Sequence, residues 1–83
     1  MARNKSEKLT ADQVKLVAFA RLQERYERGL VGEGERYKKW IAVGAIYAKD
    51  RALNEDVRAA GHVTYETIAK CILKRYGDYA PKQ

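Results

Sequence analysis

Proline is absent from the first 80 residues, and the single one, Pro81, stands near the C-terminus. Proline is the residue that most reliably breaks a helix, so this chain is free to run through long helices punctuated by glycine. The first has clear start and stop chemistry. Thr10 and Gln13 have capping-box spacing, Leu9 and Val14 have the spacing of a hydrophobic staple, and Gly29 is placed to end the segment. These signals predict a helix over 9–28 with Val14, Val17, Ala18, Leu22 and Tyr26 as its buried stripe. Residues 30–34, Leu-Val-Gly-Glu-Gly, read as a flexible connection. It lacks the Gly-Lys-Ser/Thr ending of a phosphate loop and follows a helix rather than a strand, which excludes that reading.

A second helix is predicted from about Glu35 to Lys49, extending towards Leu53. Tyr37, Trp40, Ile41, Gly44, Ala45 and Ala48 share one face at helical spacing, and the small residues Gly44, Ala48 and Ala52 suggest a close helix contact along it. Residues 54–75, NEDVRAAGHVTYETIAKCILKR, then read as two helices joined by a tight turn. Asn54 is the expected cap of the first, with Leu53, Val57 and Ala60 inward and Gly61 at its end. Thr64 is the expected cap of the second. Val63 and Ile68 have staple spacing, and Ile68, Cys71, Ile72 and Tyr76 form the apolar stripe. The fold class is therefore all-α: a bundle of three or four helices with a C-terminal helix-turn-helix-like corner. Residues 1–8 read as a flexible basic arm, 9–77 as one helical domain and 78–83 as a flexible tail.

Within that corner, DVRAAGHVTYETIAKCI resembles the helix-turn-helix of lac-repressor-type regulators. Val63-Thr64-Tyr65-Glu66-Thr67-Ile68 stand where those proteins open their second helix with Val-Ser-Tyr-x-Thr-Val. The resemblance covers less than a quarter of the chain. It departs at Arg58, where the family places a small buried residue, and at Gly61, which comes one residue early and leaves His62 at the turn-glycine position. What the resemblance implies is a recognition helix, from Thr64 to Arg75, that enters a DNA major groove.

The formal net charge of +6 favours anionic partners, nucleic acid first. No segment is strongly basic by itself, so any basic patch has to be assembled by folding. Much of the charge also complements helix dipoles, with carboxylates at apparent helix starts and cations at apparent ends. No apolar run reaches the length of a membrane span, and no hydrophobic signal segment follows the N-terminus. The single Cys71 excludes an internal disulfide and fits a cytoplasmic location. One histidine, His62, one cysteine and one serine, Ser6, are too few for a zinc site or a catalytic triad. Neither a metal nor a cofactor is expected, and the chain reads as a non-enzyme.

The expected function is a small nucleic-acid-binding regulator, with DNA favoured over RNA. Thr64, Tyr65 and Thr67 would approach bases or phosphates, Lys70 and Lys74 the backbone, and Arg58 with the arm residues Arg3 and Lys5 further phosphates. The alternative is a phage- or plasmid-type accessory protein that modulates a host protein. Its interface would be Tyr37, Trp40, Ile41 and Tyr47, residue types that anchor protein contacts. A homodimer is compatible with either.

Overall fold

In the computed structural model, which describes residues 9–77, the chain forms four helices. They are α1 (Ala11–Glu27), α2 (Glu33–Lys49), α3 (Arg51–Ala59) and α4 (Tyr65–Tyr76), and no strand occurs among the described residues. The all-α expectation is met. Helix α1 is central and packs against both α2 and α4, while α3 packs on α4 and meets α2.

The ends of α1 follow from its sequence. The Thr10 hydroxyl accepts from Gln13 N at 3.1 Å, and Thr10 N donates to Gln13 Oε1 at 3.0 Å, closing the capping box. At the other end Gly29 takes φ +78°, Gly29 N donates to the Tyr26 carbonyl, and Leu30 N donates to the Arg25 carbonyl. This is a Schellman turn, and it needs the left-handed residue that glycine supplies at least cost. It turns the chain so that α2 runs back along α1.

The buried face of α1 differs from the single predicted stripe. Leu16, Val17, Phe19, Ala20, Leu22 and Gln23 are buried, Val14 and Tyr26 are half-buried, and Ala18 is exposed. A central helix covered by two neighbours buries a wide arc, and a stripe of one-neighbour width cannot describe it. The core gathers Leu16, Val17, Phe19 and Ala20 with Val43 of α2, Leu53 and Val57 of α3, and Ile68, Ala69 and Ile72 of α4.

Helix α2 is rotated from expectation. Arg36 and Val43 point inward, with Trp40, Ile46 and Tyr47 packed against the core, whereas Tyr37 is 52% and Ile41 62% exposed. The cause is Arg36. Its guanidinium lies over the Tyr26 ring at 4.4 Å and over the Tyr65 ring at 4.3 Å, so a charged residue occupies the position that hydrophobicity assigned to its neighbour. Glu33 sits 3.9 Å away, and Arg36 Nε has no hydrogen-bond partner. Gly44 makes no close helix contact.

The helix after α2 starts earlier than expected. Asp50 caps the C-terminus of α2 and the N-terminus of α3, its Oδ1 accepting from Leu53 N at 3.0 Å. Asn54 lies inside α3 instead, donating to the Tyr47 carbonyl at 2.7 Å and the Asp50 carbonyl at 2.8 Å. Gly61 takes φ +100° after α3, and the Thr64 hydroxyl accepts from Thr67 N to cap α4, both as predicted. Ala60 is exposed and Val63 is 64% exposed, so neither joins the core and the expected staple leaves Val63 in solvent.

A Cβ at Gly44 would meet only the Trp40 indole, at 3.8 Å, an ordinary contact. Gly44→Ala should therefore remove a mid-helix glycine at no steric cost, adding about 0.5–1 kcal/mol and raising Tm by roughly 2–8 °C. A lower Tm in thermal melts would restore the close-contact reading of this face.

Candidate nucleic-acid interface

Helices α3 and α4 are joined through residues 60–64, and two carboxylates hold the C-terminal end of α4. Arg75 Nε donates to Asp56 Oδ2 at 2.9 Å. The Tyr76 hydroxyl donates to Asp50 Oδ2, the same carboxylate whose other oxygen caps α3. One carboxylate thus ties the end of α2, the start of α3 and the end of α4. Desolvation, followed by the hydrogen bond to Asp50 and its charge, pushes the Tyr76 phenol up to about 12. Hydrogen bonding to Asp56 likewise raises Arg75.

The candidate residues divide when placed on this frame. Arg58 is exposed on α3, and its charge offsets part of the burial that raises the Tyr47 phenol. Thr64 is exposed, but its hydroxyl is used twice, accepting from Thr67 N and donating to Thr67 Oγ1, both at 3.1 Å. Thr67 is half-buried. Lys70 and Lys74 are exposed one turn apart on α4, and Lys70 pairs with Glu66 at 3.3 Å. Arg3 and Lys5 lie outside the described residues.

Tyr65 departs from its expected role. It packs with Trp40 at 5.2 Å and edge-on to Phe19 at 6.1 Å, beneath the Arg36 guanidinium. An aromatic ring at the first turn of α4 gains more from this cluster than from solvent, so it turns towards α1 and α2. The rival set also divides. Tyr37 and Ile41 are exposed, whereas Trp40 packs on Phe19 at 5.3 Å and on Tyr47 at 5.6 Å.

Cys71 lies half-buried against the core in a cleft lined by Asp56, Lys74, Arg75 and Tyr76. Burial, and then the Asp56 charge, push its thiol up, which suits an inert side chain better than a nucleophile. His62 is exposed, and no cluster of His, Cys, Asp and Glu among the described residues could hold a metal ion. No helix among them is long and apolar enough to cross a membrane. Comparison with protein-family models, curated proteins and solved structures finds no match to this chain.

The sequence reading missed the double role of Asp50. Its signal was present, an Asp three residues before a buried Leu53, but the competing Asn54 concealed it. The raised Tyr76 phenol gives a pH test. A group whose folded pKa lies above its unfolded value near 10 stabilises fully below pH 10 and loses that contribution as pH rises towards 12. Wild type should exceed Tyr76→Phe in stability at pH 7–9, and the excess should shrink between about pH 10 and about pH 12. A difference in denaturant midpoints that stays constant across that window would remove Tyr76 from the clamp.

Proposed function

We propose that this chain is a small non-enzymatic nucleic-acid-binding regulator that docks through the α3–α4 corner, with DNA as its binding partner. The observation that supports this is the outer edge of the corner. Lys70 and Lys74 stand one turn apart on the exposed side of α4, opposite buried Ile68 and Ile72, while Arg58 is exposed on α3. The B-DNA major groove admits a helix presented this way, and the deep, narrow major groove of A-form RNA does not. In this reading Lys70, Lys74 and Arg58 contact phosphates, and the first turn of α4, with Thr64 and Thr67, approaches the groove. Tyr65 contributes from behind, by fixing the angle at which α4 leaves the bundle. The exposed Glu66–Lys70 pair is a weak surface contact that a phosphate can replace at little cost.

One observation favours a second reading. Tyr37 and Ile41 are exposed one turn apart on α2. That apolar pair suits a protein partner, whether a host protein bound by a phage- or plasmid-type accessory protein or a second copy of this chain.

The two readings separate by salt dependence. Lys70→Ala/Lys74→Ala should fold normally and weaken binding to a labelled duplex regardless of sequence. The log–log salt slope should fall in magnitude by about 2, close to one for each lost phosphate contact. Unchanged affinity and slope in fluorescence anisotropy would leave the corner a purely structural element. Salt-insensitive binding to a protein, lost in Tyr37→Ala/Ile41→Ala, would favour the second reading.

A further inference from the structure

We propose that the groove between α1 and α2, lined by none of the corner's contact residues, is a second nucleic-acid surface that tracks the phosphate backbone of duplex DNA. It rests on the nucleic-acid reading for the class of partner, and it does not depend on the corner. The groove is lined by Ala18, Arg21, Leu22 and Arg25 of α1 and by Glu35, Lys38 and Lys39 of α2. On α1 these fall at i, i+3, i+4 and i+7, and on α2 at i, i+3 and i+4, so each set forms one helical face. The Schellman turn at Gly29 brings the two faces together. Four cations and a single carboxylate then line the groove, in a chain with no strongly basic segment.

The pairing of these cations distinguishes the groove from α4. On α4, Lys70 pairs with Glu66 and Arg75 with Asp56. Among the described residues, Arg21, Arg25, Lys38 and Lys39 make no ion pair. Arg21, Arg25 and Lys38 are exposed, and Lys39 is half-buried. Like charges gathered without partners repel one another, and a polyanion relieves that repulsion while releasing its own counterions. The two arginines offer planar forks that match phosphate oxygens. No aromatic residue lines the groove, so it has no platform for stacking unpaired bases. A surface with cations and no stacking platform follows the backbone of a duplex and leaves base reading to another element.

The test is fluorescence anisotropy with a labelled duplex, and with a single strand of the same length, across a series of salt concentrations. Arg21→Ala/Arg25→Ala/Lys38→Ala/Lys39→Ala should lower the magnitude of the duplex salt slope by about 3–4, near 0.9 per contact. Arg21→Gln/Arg25→Gln, which alters only exposed positions, should lower it by about half as much. Arg21→Lys/Arg25→Lys should retain the slope, because counterion release depends on charge. Unchanged duplex affinity and slope in the four-residue and glutamine variants would overturn the proposal. If Lys70→Ala/Lys74→Ala still lost affinity in that case, the corner reading would stand alone. Loss in the groove variants with none in the corner pair would support the groove and remove the corner. Tighter binding of the single strand than of the duplex would overturn the groove proposal, and absence of salt-dependent binding by wild type would overturn both.

Discussion

The Arg36 guanidinium, stacked between Tyr26 and Tyr65, is the contact on which the arrangement of the other helices depends. It joins α1, α2 and α4 at one point, where Phe19, Trp40 and Tyr65 also meet ring to ring. Burying a cation is costly unless something replaces its hydration. Two aromatic faces do part of this through their quadrupoles, and Glu33 adds a distant carboxylate. Arginine suits the position because its planar, weakly hydrated fork stacks where an ammonium would not. With Arg36 inward, Tyr37 and Ile41 have to face solvent, and Arg36 also anchors the first turn of α4.

The opposite end of the bundle is held by polar chemistry. Asp50 ends α2, caps α3 and accepts from Tyr76 of α4, while Asp56 holds Arg75. The α3–α4 corner is thus fixed at both ends, by aromatic packing at Tyr65 and by carboxylates near Tyr76. The same locking removes side chains from contact. Tyr65 and Arg75 are used inside the molecule, whereas Arg21, Arg25, Lys38 and Lys39 between α1 and α2 make no ion pair among the described residues.

Local chemistry was legible in the sequence. Thr10 and Thr64 cap their helices, Gly29 and Gly61 take left-handed conformations, and Leu53, Val57, Ile68 and Ile72 are buried as their spacing implied. Each of these depends on a few neighbouring residues. What the sequence concealed depends on several helices together. The wide buried arc of α1 needs two neighbours, and the inward turn of Arg36 needs rings from two other helices. Asp50 takes the cap in place of Asn54, and it also accepts from Tyr76, 26 residues away. Of the candidate contact residues, the exposed lysines of α4 were legible as one face, whereas the inward turn of Tyr65 depends on Phe19 and Trp40. The α1–α2 groove left only a faint signal, Arg21 with Arg25 and Lys38 beside Lys39, because charge patches made by two segments exist only after folding.

Arg36 and Tyr65 should stabilise the bundle through each other. A double-mutant cycle with Arg36→Met and Tyr65→Leu, followed by denaturant unfolding, measures this directly. Each single change should lower stability, and the pair should show a coupling energy of about 1–2 kcal/mol, as expected for a desolvated cation–aromatic contact. Strictly additive effects, with coupling near zero, would contradict that dependence.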